Sequence, residues 1–210
     1  MKQFRLLLFL VAIPVFPQSL DFGFKAGVPL TDAFKHGITA PLSPSTYRSD
    51  TRRYTLGPTV ELRLPLGVGI EFDALYKRLG FESELVASGV PAAGILSETR
   101  ANSWEFPLLV KLRTPGIVFR PFVDGGVSFR TLTGVKQFVT GLAGSETPPE
   151  LRDKHARGFV FGAGFEVSAP FVKIAPEFRY TRWAGENFRD TLNLLRTNQN
   201  QADFLIGITF

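Results

Sequence analysis

SWEFPLLVKLRTPGIVFRPFVDGGVSFR, residues 103–130, decides the fold class. Up to Thr114-Pro115-Gly116, the apolar Trp104, Phe106, Leu108, Val110 and Leu112 alternate with Ser103, Glu105, Lys111 and Arg113. Beyond that turn, Ile117, Phe119, Val123, Val127 and Phe129 oppose Arg120, Asp124, Gly126, Ser128 and Arg130. A period of two sends successive side chains to opposite faces, so the stretch reads as two antiparallel strands around a tight turn. One face is apolar and the other is charged.

The alternation extends in both directions to eight strands. Before the quoted stretch they cover Leu20 to Val28, Tyr54 to Leu64 and Val68 to Lys77; after it, Gly158 to Val167, Val172 to Thr181 and Asp203 to Phe210. Short links at Pro65-Leu66, Thr114 to Gly116 and Ser168-Ala169-Pro170 take turns with long ones. The long ones run from about Pro29 to Arg53, Gly80 to Arg100, Thr131 to Ala156 and Ala184 to Gln199. Strands of about ten residues with this rhythm of connections mark an all-β, eight-stranded antiparallel up-and-down transmembrane β-barrel. Its short turns are expected on the periplasmic side and its four long loops outside.

A soluble barrel would also alternate, with the apolar face inside. Three features favour the inverted arrangement. The polar face is rich in Gly, as a crowded interior requires. Its charges balance, with Lys25, Arg63, Lys77, Lys111, Arg113, Arg120, Arg130, Lys173 and Arg179 against Asp21, Glu61, Glu71, Asp73, Glu105, Asp124, Glu166, Glu177 and Asp203. That equality predicts an ion-paired lumen. Aromatics at strand ends (Tyr54, Tyr76, Trp104, Phe129, Phe159, Tyr180, Trp183) read as interfacial girdles. Pro107, Pro121 and Pro176 fall inside strands, where a missing N–H predicts bulges or weakened pairing.

Composition agrees. The chain has 210 residues with 21 Phe, 20 Gly and 15 Pro, which suits strands and turns in one domain. It has no Cys, which excludes disulfide scaffolds and thiolate metal sites. Lys2 and Arg5 precede an apolar run from Leu6 to Phe16, too short for a membrane helix and suited to a signal peptide. We therefore divide the chain into a signal peptide, 1–18, and an outer-membrane barrel, 19–210. The net charge of +5 falls to +3 without Lys2 and Arg5, which weakens any case for nucleic acid.

Several segments resemble the PorT-like small outer-membrane barrels, within the wider OmpA-like eight-stranded group. They are DFGFKAGVPLTDAF, SWEFPLLVKLR, FRPFVDGGVSFR, IAPEFRYTRW and NQADFLIGITF. The resemblance implies a bacterial outer-membrane location. It also implies that Phe210, with Ile208 and Ile206 before it, acts as the terminal signal for the barrel-assembly machinery. It implies no activity, because members of such a fold differ in function.

Chemistry is poorly supported. Only His36 and His155 exist, and a pairing of His155 with Asp153 is outweighed by a plain loop setting. Neither a metal site nor a cofactor is expected. Gly162 and Gly164 imitate a nucleotide-binding pattern, but they alternate on a strand with no helix after it. The role expected is therefore non-enzymatic: structural, in membrane integrity, or in surface interaction through the loops with an unidentified external ligand or protein. Outer-membrane lipid and lipopolysaccharide are expected partners, the latter through Arg52, Arg53, Arg100, Arg182 and Arg189. The alternative is a narrow porin-like channel, and eight strands leave room for little beyond side chains. The last loop, Glu186 to Arg196, spaces Phe188, Leu192 and Leu195 as a short amphipathic helix.

Overall fold

The computed structural model describes residues 19–36, 45–86, 94–140, 144–190 and 194–210. The expected signal peptide, 1–18, lies outside them. Twelve strands are present among these residues: β1 (Ser19–Pro29), β2 (Phe34–His36), β3 (Ser45–Ser49), β4 (Thr55–Arg63), β5 (Val68–Asp73), β6 (Leu75–Val86), β7 (Gly94–Arg113), β8 (Phe119–Val139), β9 (His155–Ser168), β10 (Lys173–Trp183), β11 (Leu195–Thr197) and β12 (Asn200–Thr209).

Eight of these positions form a closed antiparallel ring, because β5 and β6 are one wall strand interrupted at Ala74. Closure is made by β1, which pairs with β12 from Gly23↔Thr209 to Pro29↔Asp203 and with β4 from Ser19↔Arg63 to Gly27↔Thr55. A closed ring leaves no wall strand with an unpaired edge.

The interruption at Ala74 has a local cause. Pro58 lies opposite Ala74, whose amide donates to the Pro58 carbonyl at 3.0 Å. Carrying the register on from Phe72↔Leu108 to Leu75↔Glu105 sets Pro107 opposite Asp73. Neither proline has an N–H to return, so the ladder loses bonds on both sides of one strand. Pro176 has a similar effect: the β9–β10 pairing skips from Ile174↔Val167 to Glu177↔Gly164. Pro121 stays in register opposite Phe165. The one register shift between β7 and β8 falls at Arg100/Asn102, away from any proline.

The strands also continue beyond the alternating segments. β6 and β7 extend as a hairpin to Val86 and Gly94, and β8 runs on to Val139. Much of two expected loops, Gly80 to Arg100 and Thr131 to Ala156, is therefore strand. Period-two apolar signal is broken there because the outer face meets polar surroundings, as in Glu82-Ser83-Glu84, and the inner face is apolar only where side chains such as Phe81 and Leu132 enter the mouth, while backbone pairing continues.

Over the long-connection mouth, Ala33, Phe34, Leu79, Phe81, Ala101, Leu132, Phe188 and Leu195 form a buried apolar cluster. Phe34, Phe81 and Phe188 meet edge to face with centroids 5.3–5.7 Å apart. Each such side chain contributes about 1.5–3 kcal/mol on burial. The expected helix over Glu186 to Arg196 is not formed among the described residues; Leu192 lies outside them. Instead, β11 pairs with β2, Arg189 bridges to Arg196, and the Phe188 amide donates to Thr197 Oγ1 at 2.8 Å. Folding back in extended form lets Phe188 and Leu195 enter one cluster.

Candidate functional site

The inward face of the ring carries the charges, and they settle in three layers. At the short-turn end, Arg63 pairs with Asp21 and reaches Glu166 at 2.6 Å. Lys173 lies 2.6 Å from Asp21, and Arg113 pairs with Glu61. Arg120 is held at the rim: its Nε donates to the Gly116 carbonyl at 2.8 Å, and Glu166 is 3.7 Å away.

The middle layer is the most tightly connected. Lys25 Nζ lies 2.5 Å from Glu71, 2.9 Å from Glu177 and 3.5 Å from Asp73. Arg179 spreads its three nitrogens over Glu177 at 2.6 Å, Asp73 at 2.7 Å and Glu71 at 3.1 Å. Lys111 pairs with Glu71 and sits 4.5 Å over the Phe122 ring. Asp124 is buried in the same region, yet its carboxylate oxygens make no hydrogen bond among the described residues. A side chain at Gly162 would collide with that carboxylate, and one at Gly69 would press on Glu61 and Arg113. Glycines at these two places make room for the lattice.

Nearest the mouth, Lys77 holds Asp203 at 3.0 Å and Glu105 at 3.3 Å. Arg130 donates to Glu105 at 2.7 Å and to Gln201 at 2.5 Å, and its guanidinium lies 3.9 Å from the Trp183 ring centre. Trp183 is thus a buried lumen residue and not a girdle residue. Its parity with Glu177, Arg179 and Thr181 on β10 carried that signal in the sequence. Leu109, Phe122, Val160 and Leu205 are also buried on the inner face, filling gaps between charges. The expected lumen set of Glu61, Arg63, Glu71, Asp73, Lys77, Glu105, Lys111, Arg120, Asp124, Glu166, Lys173, Glu177, Arg179 and Asp203 is therefore brought to one interior, with Arg120 at its edge and Asp124 unbonded.

A buried charge is tolerable only when its partners are well placed, since desolvation costs several kcal/mol per ion. Here most carboxylates meet two or more cations, so the lattice is cross-braced across the ring. Within it the Thr59 hydroxyl donates to Asp73 at 2.6 Å, and Arg179 holds that same carboxylate at 2.7 Å. His155 Nδ1 lies 2.6 Å from Thr131 Oγ1, while Asp153 accepts from the backbone amide of His155 at 2.8 Å. Asp153 thus engages the His155 main chain and leaves the ring to Thr131. Among the described residues no three His, Asp or Glu converge to hold a metal.

The exterior is the reverse of a soluble protein. Phe24, Phe159, Phe161 and Phe178 are each at least 60% exposed, within a continuous band that includes Leu20, Phe22, Phe72, Leu108, Val110, Val123, Ile206 and Ile208. A patch of that kind far exceeds what a soluble monomer presents to water.

No family model and no curated protein sequence matches the chain. Among solved structures, the outer membrane protein OprG from Pseudomonas aeruginosa aligns at TM-score 0.52 and 12% identity, over 91% of this chain and 94% of that one. The fold is that of a small outer-membrane β-barrel. Neisserial surface protein A (NspA) aligns at TM-score 0.48 and 10% identity, over 92% of this chain and 98% of its own.

Proposed function

We propose that this chain is an outer-membrane protein whose barrel is a sealed anchor, and whose role is structural or interactive on the long-connection side. The observation that carries this reading is the lumen: three cross-braced layers of ion pairs, closed above by the Phe34–Phe81–Phe188 cluster. A solute path would have to break buried pairs at each layer. The apolar band supports a membrane setting, because only closed barrels satisfy their backbone groups in lipid without helices. The export segment ending near residue 18, the PorT-like affinity, and assembly-signal roles for Phe210, Ile208 and Ile206 are parts of the same proposal. Ile206 and Ile208 face outward on β12, and the Phe210 amide donates to Phe22 at 2.9 Å.

The test is electrical. The protein purified from membranes and inserted in planar bilayers is expected to be silent. Discrete current steps that change with Glu71→Gln or Arg179→Gln would replace this reading with the channel.

A further inference from the structure

The outward face of the wall has a second pattern, distinct from the apolar band. From the short turns up to the aromatic row, no outward side chain of the eight described wall strands is charged. Above that row the first charged outward residue is basic on six strands: Arg52 leading into β4, Arg78 on β6, Arg100 on β7, Lys136 on β8, Arg157 on β9 and Arg182 on β10. β1 leads instead to Asp32, and β12 to the neutral Asn200. The opposite rim differs. There the turn tips Leu66, Ile117 and Phe171 are 98%, 87% and 89% exposed, Arg63, Arg113 and Lys173 pair with lumen carboxylates, and Arg120 donates to the Gly116 and Ile117 carbonyls.

Geometry fixes the depth of this collar. Tyr54, Tyr76 and Trp104 form a row across β4, β6 and β7, with centroids 6.3 and 5.3 Å apart. Arg52 and Arg78 stand two residues above Tyr54 and Tyr76, at the same parity along their strands. Arg100 pairs in register with Lys136 on the neighbouring strand; its guanidinium rests on the Glu98 carboxylate, at 2.7 Å through Nη2, which a phosphate would have to displace. Aromatic rows settle at the membrane–water interface, so the cations just above them lie at headgroup level. Guanidinium forks match phosphate oxygens two at a time. Strands about 4.8 Å apart spread the four cations from Arg52 to Lys136 over roughly 15 Å. That span is more than one phosphate can occupy.

We propose that this one-sided collar binds the phosphates of a lipid bearing more than one phosphate, in the leaflet on the long-connection side. The proposal rests on the membrane reading above. The probe is bisphosphorylated lipid A in phosphatidylcholine vesicles, with the protein purified from membranes. The readout is the temperature at which the folded, fast-migrating gel band is lost. Lipid A should raise that midpoint for the wild type. Arg52→Gln/Arg78→Gln/Arg100→Gln should lose at least half of the rise, while its midpoint in phosphatidylcholine alone stays unchanged. The corresponding triple Lys variant, which keeps the charge, should lose less. Inorganic phosphate at matched concentration should do nothing.

An equal rise in the Gln variant would overturn the proposal, and so would an equal effect of inorganic phosphate, which would assign the site to a soluble anion. If the Gln variant does not fold, Arg157→Gln/Arg182→Gln, on the second sector, must still reduce the rise. Failure of the wild type to insert in vesicles would instead refute the membrane reading itself.

Discussion

Replacing Arg179 with methionine tests whether the lumen is a lattice or a wet path. Methionine keeps an unbranched stem but removes the guanidinium that touches Glu177, Asp73 and Glu71 at 2.6–3.1 Å. Lys25 and Lys111 are then left to offset Glu71, Asp73, Glu177 and the already unbonded Asp124 in a sealed interior. Removing one partner of a buried pair costs about 3–5 kcal/mol. Three short contacts place Arg179 at the upper end, about 4–5 kcal/mol, or roughly a thousandfold in the folding equilibrium. The matching surface control is Arg53→Ala. Arg53 reaches Asp32 at 3.1 Å with side chains 72% and 55% exposed, and such pairs are worth about 0–1 kcal/mol. Urea unfolding in detergent, followed by the folded gel band and by Trp fluorescence, compares the two. If Arg179→Met costs no more than Arg53→Ala, water already solvates the middle layer and the sealed-lumen reasoning fails. Adding Glu177→Gln to Arg179→Met should recover part of the loss, because it withdraws one of the stranded carboxylates.

The adjacent glycines of β8 should behave oppositely. Gly126→Ala would drive a Cβ into the Leu108 carbonyl of β7 and should lower the unfolding midpoint, whereas Gly125→Ala meets the Phe161 ring at 3.5 Å and the Val160 carbonyl at 3.6 Å, both ordinary contacts, and should be neutral in the same gel assay. Phe188→Ala removes one member of the aromatic cap at a cost of about 3–5 kcal/mol, which hydrogen exchange should register in the cap while the wall strands stay protected. The Tyr47 hydroxyl donates to Glu150 at 3.3 Å, and burial, then the charges of Glu150 and Asp190, push its pKa up from 10. Its folded pKa is raised, so the stability it contributes is complete below pH 10. That contribution falls as pH rises beyond 10, where the unfolded chain ionises first. Tyr47→Phe should abolish this alkaline loss, as read from tyrosinate absorbance and cap protease sensitivity.

The wall was legible because alternation is local. Strand existence, the apolar outer face and the charged inner face followed from period two alone in Ser103 to Arg130 and its repeats. The short turns followed from Pro65, Pro115 and Pro170. Trp183 was misassigned to a girdle although its parity with Arg179 pointed inward, since an aromatic at a strand end invites the interfacial reading. The last loop misled for a different reason. Phe188 and Leu195 share a face equally well on a helix turn or across a fold-back, and the choice was made by pairing with β2. The basic collar was only partly visible: Arg52, Arg100 and Arg182 stood out at strand ends, while Arg78 and Lys136 joined them only once β6 and β8 continued past the band.

The sequence by itself determined which residues face outward and which face the interior, because side-chain direction along a strand is set by covalent geometry within two residues. It also determined that the interior charges are equal in number. Tertiary structure alone decided which charge meets which. Lys25 finds Glu71 and Glu177 at separations of 46 and 152 residues, and that choice depends on ring closure and on the register of β1 against β4 and β12. It also decided that an aromatic cluster gathers at the mouth, since Phe34, Phe81 and Phe188 come from three separate connections and meet only when the wall has brought those connections together.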